Sequence, residues 1–182
     1  MIRFDLGGKM NKKVVALLGA ALLFSAMESR AVDSVSVEAG RGTSSVDLWR
    51  LGAQWKWQKH WFTEGDWHLG GYWDAQVGRW NGAGHPTDLS LTPTFRLERK
   101  SGYGPYVEGA IGFHYISDKN IAAGKQFSTN FQFGDHVGAG VRFGDKGQYD
   151  LGLRLQHLSN AGIKHPNPGI NFGIIRFQYH FN

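Results

Sequence analysis

Two residues near the carboxyl end have the types and spacing for acyl transfer. His157 and Ser159 stand two apart at the end of the run 149–159. A histidine that takes the proton from a serine hydroxyl turns that oxygen into a nucleophile. Tyr149, Leu151, Leu153 and Leu155 share one parity with His157 and Ser159, while Asp150, Gly152, Arg154 and Gln156 occupy the other. On an extended strand, residues i and i+2 face the same side, about 7 Å apart at the backbone. An apolar face therefore gives way to a base and a hydroxyl. H-x-S alone is a weak motif, and the competing reading is a polar rim where the strand passes into the loop starting at Asn160.

Further polar residues converge on the same patch. Asp135 interrupts the apolar parity of Phe131, Phe133 and Val137. A turn centred near Lys146 would set Asp135 opposite His157, or one diagonal step away. Asn171 starts the last alternating run and would flank the pair from the other side. The simpler roles are a rim acid for Asp135 and a strand-start cap for Asn171. The intervening loop, 160–170, is rich in turn formers. Asn160 and Gly162 could direct backbone N–H groups at a developing oxyanion. Lys164 could meet a phosphate or simply be a solvated loop charge.

The elements that must hold these groups are strands. From Asp33 onward no segment keeps a helical apolar period, and alternation recurs in eight runs, from Ser34–Gly40 through Trp67–Val77 to a last run ending at Phe181. One parity is apolar, with aromatics such as Trp55, Trp67, Phe131, Tyr149 and Tyr179 near strand ends. The other mixes both charges with many glycines. A soluble barrel of lipocalin type would turn the apolar parity inward. The aromatic belts and the small, charge-paired polar parity favour the reverse. The expected fold is all-β: one eight-stranded antiparallel transmembrane β-barrel over residues 32–182. Strands are expected to run outward from a periplasmic amino end, which places 41–45, 81–88, 117–130 and 160–170 outside the cell.

Composition narrows the function. The 182 residues include no cysteine, 26 glycines and 25 aromatic residues (7 Trp, 6 Tyr, 12 Phe), with net charge +5. Without cysteine there is no thiolate metal site and no thiol nucleophile. The eight histidines form no convincing ligand cluster, so neither metal nor cofactor is expected. The apolar run 14–24 is too short for a membrane helix, follows Lys12 and Lys13, and precedes Ser29-Arg30-Ala31. Residues 1–31 read as a secretory signal peptide, with Met10 a plausible true start. Their removal takes away Arg3, Lys9, Lys12, Lys13 and Arg30 but only Asp5 and Glu28. The net charge falls to +2, which withdraws the support for a nucleic-acid partner.

At the site the chain resembles the outer-membrane lipid A 3-O-deacylase (PagL) family. The resemblance is carried by Gln156-His157-Leu158-Ser159-Asn160-Ala161-Gly162-Ile163-Lys164-His165-Pro166-Asn167 with Gly169, and by Gly71-Tyr72-Trp73-Asp74 and Asp135-His136-Val137-Gly138-Ala139-Gly140. It implies hydrolysis of the ester-linked 3-hydroxyacyl chain at position 3 of lipid A in lipopolysaccharide, by a multi-pass protein of the bacterial outer membrane. Ser159 would be the nucleophile and His157 the base, with Asn160, Gly162 and Asn167 supporting the oxyanion hole or its loop. The chain departs from the family pattern at Asn171, where a glutamate is expected. Either Asn171 orients His157 without a charge, or Asp135 supplies one. The alternatives are a lipid A acyltransferase and a non-enzymatic structural or adhesive small barrel. The sequence leaves a homodimer open.

Overall fold

The computed structural model describes residues 31–181. The segment read as a signal peptide therefore lies, up to residue 30, outside the described residues. Ten strands follow: β1 (Ser34–Gly42), β2 (Asp47–Lys56), β3 (Trp67–Asn81), β4 (Thr87–Arg99), β5 (Gly104–Ile116), β6 (Asn120–Ala122), β7 (Lys125–Gln126), β8 (Phe131–Phe143), β9 (Tyr149–Ser159) and β10 (Ile170–His180). Eight of them close in the order β1-β10-β9-β8-β5-β4-β3-β2. All neighbours are antiparallel. Closure pairs every strand on both sides and leaves no open edge. β6 and β7 form a separate small hairpin inside the 117–130 connection, a segment expected to be plain loop.

The two parities separate as the alternation dictates. Val35, Trp49, Leu51, Ile111, Val137, Leu153, Leu155 and Ile175 are exposed on the outer wall. The inner parity is buried and charged. Arg96 bonds Glu108 and Asp150, both at 2.7 Å. Arg154 reaches Glu108 at 2.7 Å and Asp74 at 3.2 Å. The hydroxyls of Tyr72 and Tyr106 donate to Glu108 and Asp150. Buried charges persist when paired and hydrogen-bonded, and these are.

The lumen is not polar throughout, as the alternation had suggested. At the loop end it is closed by an apolar cluster that includes Leu48, Trp80, Ile116, Phe127, Leu158 and Phe172. Trp80 packs edge-on against Phe127 and Phe172, at ring separations of 6.5 and 5.0 Å. Phe127, next to β7, folds the 117–130 connection over the mouth. The barrel is thus sealed by an apolar plug directly inside the wall that bears His157.

Candidate active site

β9 holds its outward residues by what its inward residues do. Gln156 accepts from the Arg50 guanidinium at 2.7 Å, and Leu158 is fully buried in the plug. On β10, Ile170 and Phe172 enter the same plug on either side of Asn171. His157, Ser159 and Asn171 therefore project from backbone pinned on both sides, which suits a site needing fixed geometry.

The register brings the polar residues together. His157 pairs directly with Asn171 on β10 and with Asp135 on β8. Side chains so opposed have Cβ atoms about 5 Å apart. His157 Nδ1 and Asn171 Oδ1 are 2.6 Å apart. With the amide oxygen accepting, Nδ1 carries the proton and Nε2 presents its lone pair, the tautomer a general base requires. Asp135 lies across the other strand; among the described residues no hydrogen bond joins it to the imidazole. The Asn171 backbone N–H donates to Thr43 Oγ1 at 3.4 Å, tying β10 to the 3-10 turn Thr43–Ser45.

Ser159 is the next outward residue after His157 and pairs with Phe133. Its hydroxyl accepts the Ala161 N–H at 3.4 Å. Among the described residues no hydrogen bond joins it to His157. The pair shares a face at i, i+2 and can close when a carbonyl is presented, since catalytic contacts are often loose before substrate binds.

The loop beyond Ser159 is internally braced. The buried Asn160 side chain donates to Lys164 O at 2.7 Å and to Ser128 Oγ at 2.8 Å. Ser128 Oγ in turn donates to Lys164 O at 2.8 Å. Asn160 N–H goes to Asn167 Oδ1 at 3.1 Å. Asn160 and Asn167 therefore act on the shape of the loop, and the Asn160 N–H is already engaged. Ala161 and Gly162 both take positive φ, 53° and 75°. Lys164 enters this bracing through its carbonyl, and its side chain is exposed.

Two residues support this site in ways the sequence did not show. Ser128 lies in another connection, and no local pattern marks it. Gly169 has φ +59°, and a Cβ there would lie 2.8 Å from His157 Cε1. Its place after the run 156–167 was legible, but the reason for it, a backbone that grazes the imidazole, was not.

A furrow of about 940 Å³ in the outer wall passes the site, lined by Asp135, His157, Asn171, Thr43 and the residues below them. Its floor is one continuous cross-strand row, Phe95, Gly109, Val137, Leu155, Gly173 and Arg41. Arg41 is one residue from the loop end of β1, whereas Phe95 lies deep in β4. The furrow thus descends obliquely from the rim into the apolar wall. Gly109 and Gly173 leave it open: a Cβ on Gly173 would meet nothing within 4 Å.

Comparison with known proteins bears on this arrangement. Residues 47–180 match the model of the family described as Lipid A 3-O-deacylase (PagL). The chain is 34% identical over 164 residues to the lipid A deacylase PagL of Pseudomonas aeruginosa, covering 87% of this chain and 93% of that one. It is 38% identical over 110 residues to the lipid A deacylase PagL of Bordetella bronchiseptica, covering 60% and 58%. The crystal structure of the outer membrane enzyme PagL superposes with TM-score 0.74 at 33% identity, over 81% of this chain and 99% of that one. A designed transmembrane β-barrel, 14% identical with TM-score 0.51 over 85% of this chain and 100% of its own, shares the fold alone.

Proposed function

The chain belongs to the lipid A 3-O-deacylase (PagL) family, and we propose that Ser159, His157 and Asn171 perform its reaction on the lipid-facing wall of an outer-membrane barrel. The enzyme is a hydrolase of the ester-linked acyl chain of lipid A. His157 Nε2 takes the proton of Ser159 as Oγ attacks the ester carbonyl. The tetrahedral intermediate collapses, and the departing sugar oxygen takes that proton from His157. The acyl group remains on Ser159. Water, deprotonated by the same imidazole, then attacks the acyl-serine and releases the fatty acid, restoring the hydroxyl.

The observation that carries this reading is the 2.6 Å contact between His157 Nδ1 and Asn171 Oδ1, made on the outer wall rather than in the lumen. Asn171 is the positioning residue that fixes ring and tautomer. Asp135, opposite on β8, supplies negative charge to the imidazolium through space. Gly162 N–H and the braced loop receive the oxyanion. The acyl chain runs down the furrow over Leu155, Val137 and Gly109, so substrate reaches the site from the membrane itself. Residues 1–31 are removed on export, and eight crossing strands put the loop end outside. One copy already holds every residue of the site, so the reading does not require a homodimer.

The test is mass spectrometry of lipid A from cells expressing the chain, beside Ser159→Ala and His157→Ala. We expect loss of one 3-hydroxyacyl chain and its recovery as free acid, with either substitution lowering the rate about 10⁴-fold. Recovery of the chain on another lipid would identify an acyltransferase. Unchanged lipid A with folded wild type would overturn the assignment.

A further inference from the structure

The outward residues of β1 read Val35, Val37, Ala39 and then Arg41. A guanidinium on a lipid-facing wall is tolerated near the interface but is disfavoured without a purpose. Arg41 sits where β1 meets the rim, and its side chain is 74% exposed. It lines the same furrow as His157 and Asn171. Between its strand and β9 lies Gly173, its direct partner on β10. No side chain therefore stands between the imidazole row and the guanidinium. Two strand spacings separate β9 from β1, about 10 Å, and the Arg41 side chain leans the other way, toward Asp47, its direct partner on β2, so the gap is left for the sugar to span.

The guanidinium is also held. Its Nε donates to Asp47 Oδ1 at 2.7 Å and its Nη2 to Asp47 Oδ2 at 3.1 Å. An exposed ion pair of this kind contributes little stability. Its effect is to fix one edge of the fork and leave Nη1 directed away from the carboxylate. Arginine has five N–H donors and Asp47 takes two. The remaining donors form a preset edge suited to the oxygens of a phosphate. Lys164, the loop cation that sequence reading offered for this task, has no such fixing partner among the described residues.

Resting on the deacylase reading, we propose that Arg41, oriented by Asp47, binds a phosphomonoester on the same sugar that carries the scissile ester. Lipid A is a phosphorylated glucosamine disaccharide. The ring bearing the 3-O-acyl chain bears a phosphate at its anomeric carbon, two ring atoms from the ester-bearing carbon. With the carbonyl at Ser159 and the acyl chain in the descending furrow, that phosphate points back toward the rim, where Arg41 lies. The subsite sets the register of the sugar, so that the 3-position ester reaches the serine.

The experiment compares kcat/KM for purified, refolded protein on lipid A with and without the anomeric phosphate, in detergent micelles of one neutral detergent. Wild type is expected to favour the phosphorylated substrate about ten-fold. In Arg41→Gln that ratio collapses toward one, mainly through KM. Arg41→Lys, which keeps the charge but loses the fork, retains part of it. Folding is read from the mobility of the unboiled barrel on gels. A ratio unchanged in Arg41→Gln, or a loss equal for both substrates, would overturn the phosphate subsite and leave Arg41 an interfacial anchor. Wild type inert on both substrates would instead overturn the deacylase reading beneath it.

Discussion

Two furrows in the outer wall differ in the groups that line them. The second, about 650 Å³, lies across β2 to β5 and is lined by Leu51, Ala53, Ala75, Val77, Leu89 and aromatic neighbours. Both arise the same way: small outward residues, Ala53 and Ala75 in one, Gly109 and Gly173 in the other, leave gaps between larger ones. In a bilayer either would be filled by acyl chains. The furrow beside β9 differs in its upper row, where Ile111, Asp135, His157 and Asn171 are direct neighbours in register. The corresponding row of the second furrow, Leu51, Val77, Leu89 and Tyr115, contains no carboxylate, imidazole or amide. A lipid-facing groove is thus a generic product of a barrel with small residues. A site needs titratable groups whose backbone is pinned from inside.

The sharpest break in this comparison comes at the upper row. Asn171→Ala removes the acceptor of His157 Nδ1, so the ring loses both its orientation and its tautomer preference. We expect kcat to fall about 10²-fold, the scale of losing an orienting partner, with KM little changed. Asp135→Asn keeps the shape and removes only charge, so the fall should be smaller. Asn171→Glu should raise kcat, because a carboxylate stabilises the imidazolium that an amide cannot. Steady-state kinetics on lipid A decides among them: full activity in both Asn171→Ala and Asp135→Asn would dismiss both assignments.

Much of this was legible because the rules involved are local. Period two alone puts His157, Ser159, Asp135 and Asn171 on one face, and a turn at Lys146 is enough to set Asp135 against His157. What was not legible is what depends on distant chain. The apolar plug includes Trp80, Ile116 and Phe172, on the parity that elsewhere carries charge. At strand ends such residues look like the fading of a pattern rather than a seal. β6 and β7 were invisible for a similar reason: a seven-residue hairpin with one bulge carries no usable alternation. Arg41 was read as the first residue of a loop, and only the pairing with Gly173 makes it part of the furrow.

The floors of the two furrows give a matched pair of substitutions. Gly173→Leu would place a side chain where nothing lies within 4 Å, so the barrel should fold normally with one more lipid-facing leucine. It would also block the path between Leu155 and Arg41. We expect about a ten-fold loss in kcat/KM on lipid A, on the scale of filling part of an apolar pocket, and a smaller loss on short-chain esters. Ala75→Leu makes a similar change in the second furrow and should leave both rates as they are. Equal effects from the two would mean that lipid A does not lie across the furrow beside β9 between Leu155 and Arg41.

The smallest expected effect is at the rim, where one connection braces both sides. Ser128 Oγ joins the catalytic loop through Asn160 and Lys164. Ser117 Oγ accepts the Thr87 N–H at 2.8 Å, at the head of β4 beside the second furrow. Each serine contributes on the order of 1 kcal/mol as a hydrogen-bonding group, so Ser128→Ala and Ser117→Ala should lower thermal stability alike. Their catalytic effects should differ. Without Ser128 the Asn160 amide loses one acceptor, the segment 160–164 loosens, and the Gly162 N–H is held less firmly toward the oxyanion. A few-fold fall in kcat with unchanged KM is expected for Ser128→Ala and none for Ser117→Ala. If kcat followed stability equally in both, the loop bracing would be a matter of folding alone, and the oxyanion geometry would have to be set by the strands β9 and β10.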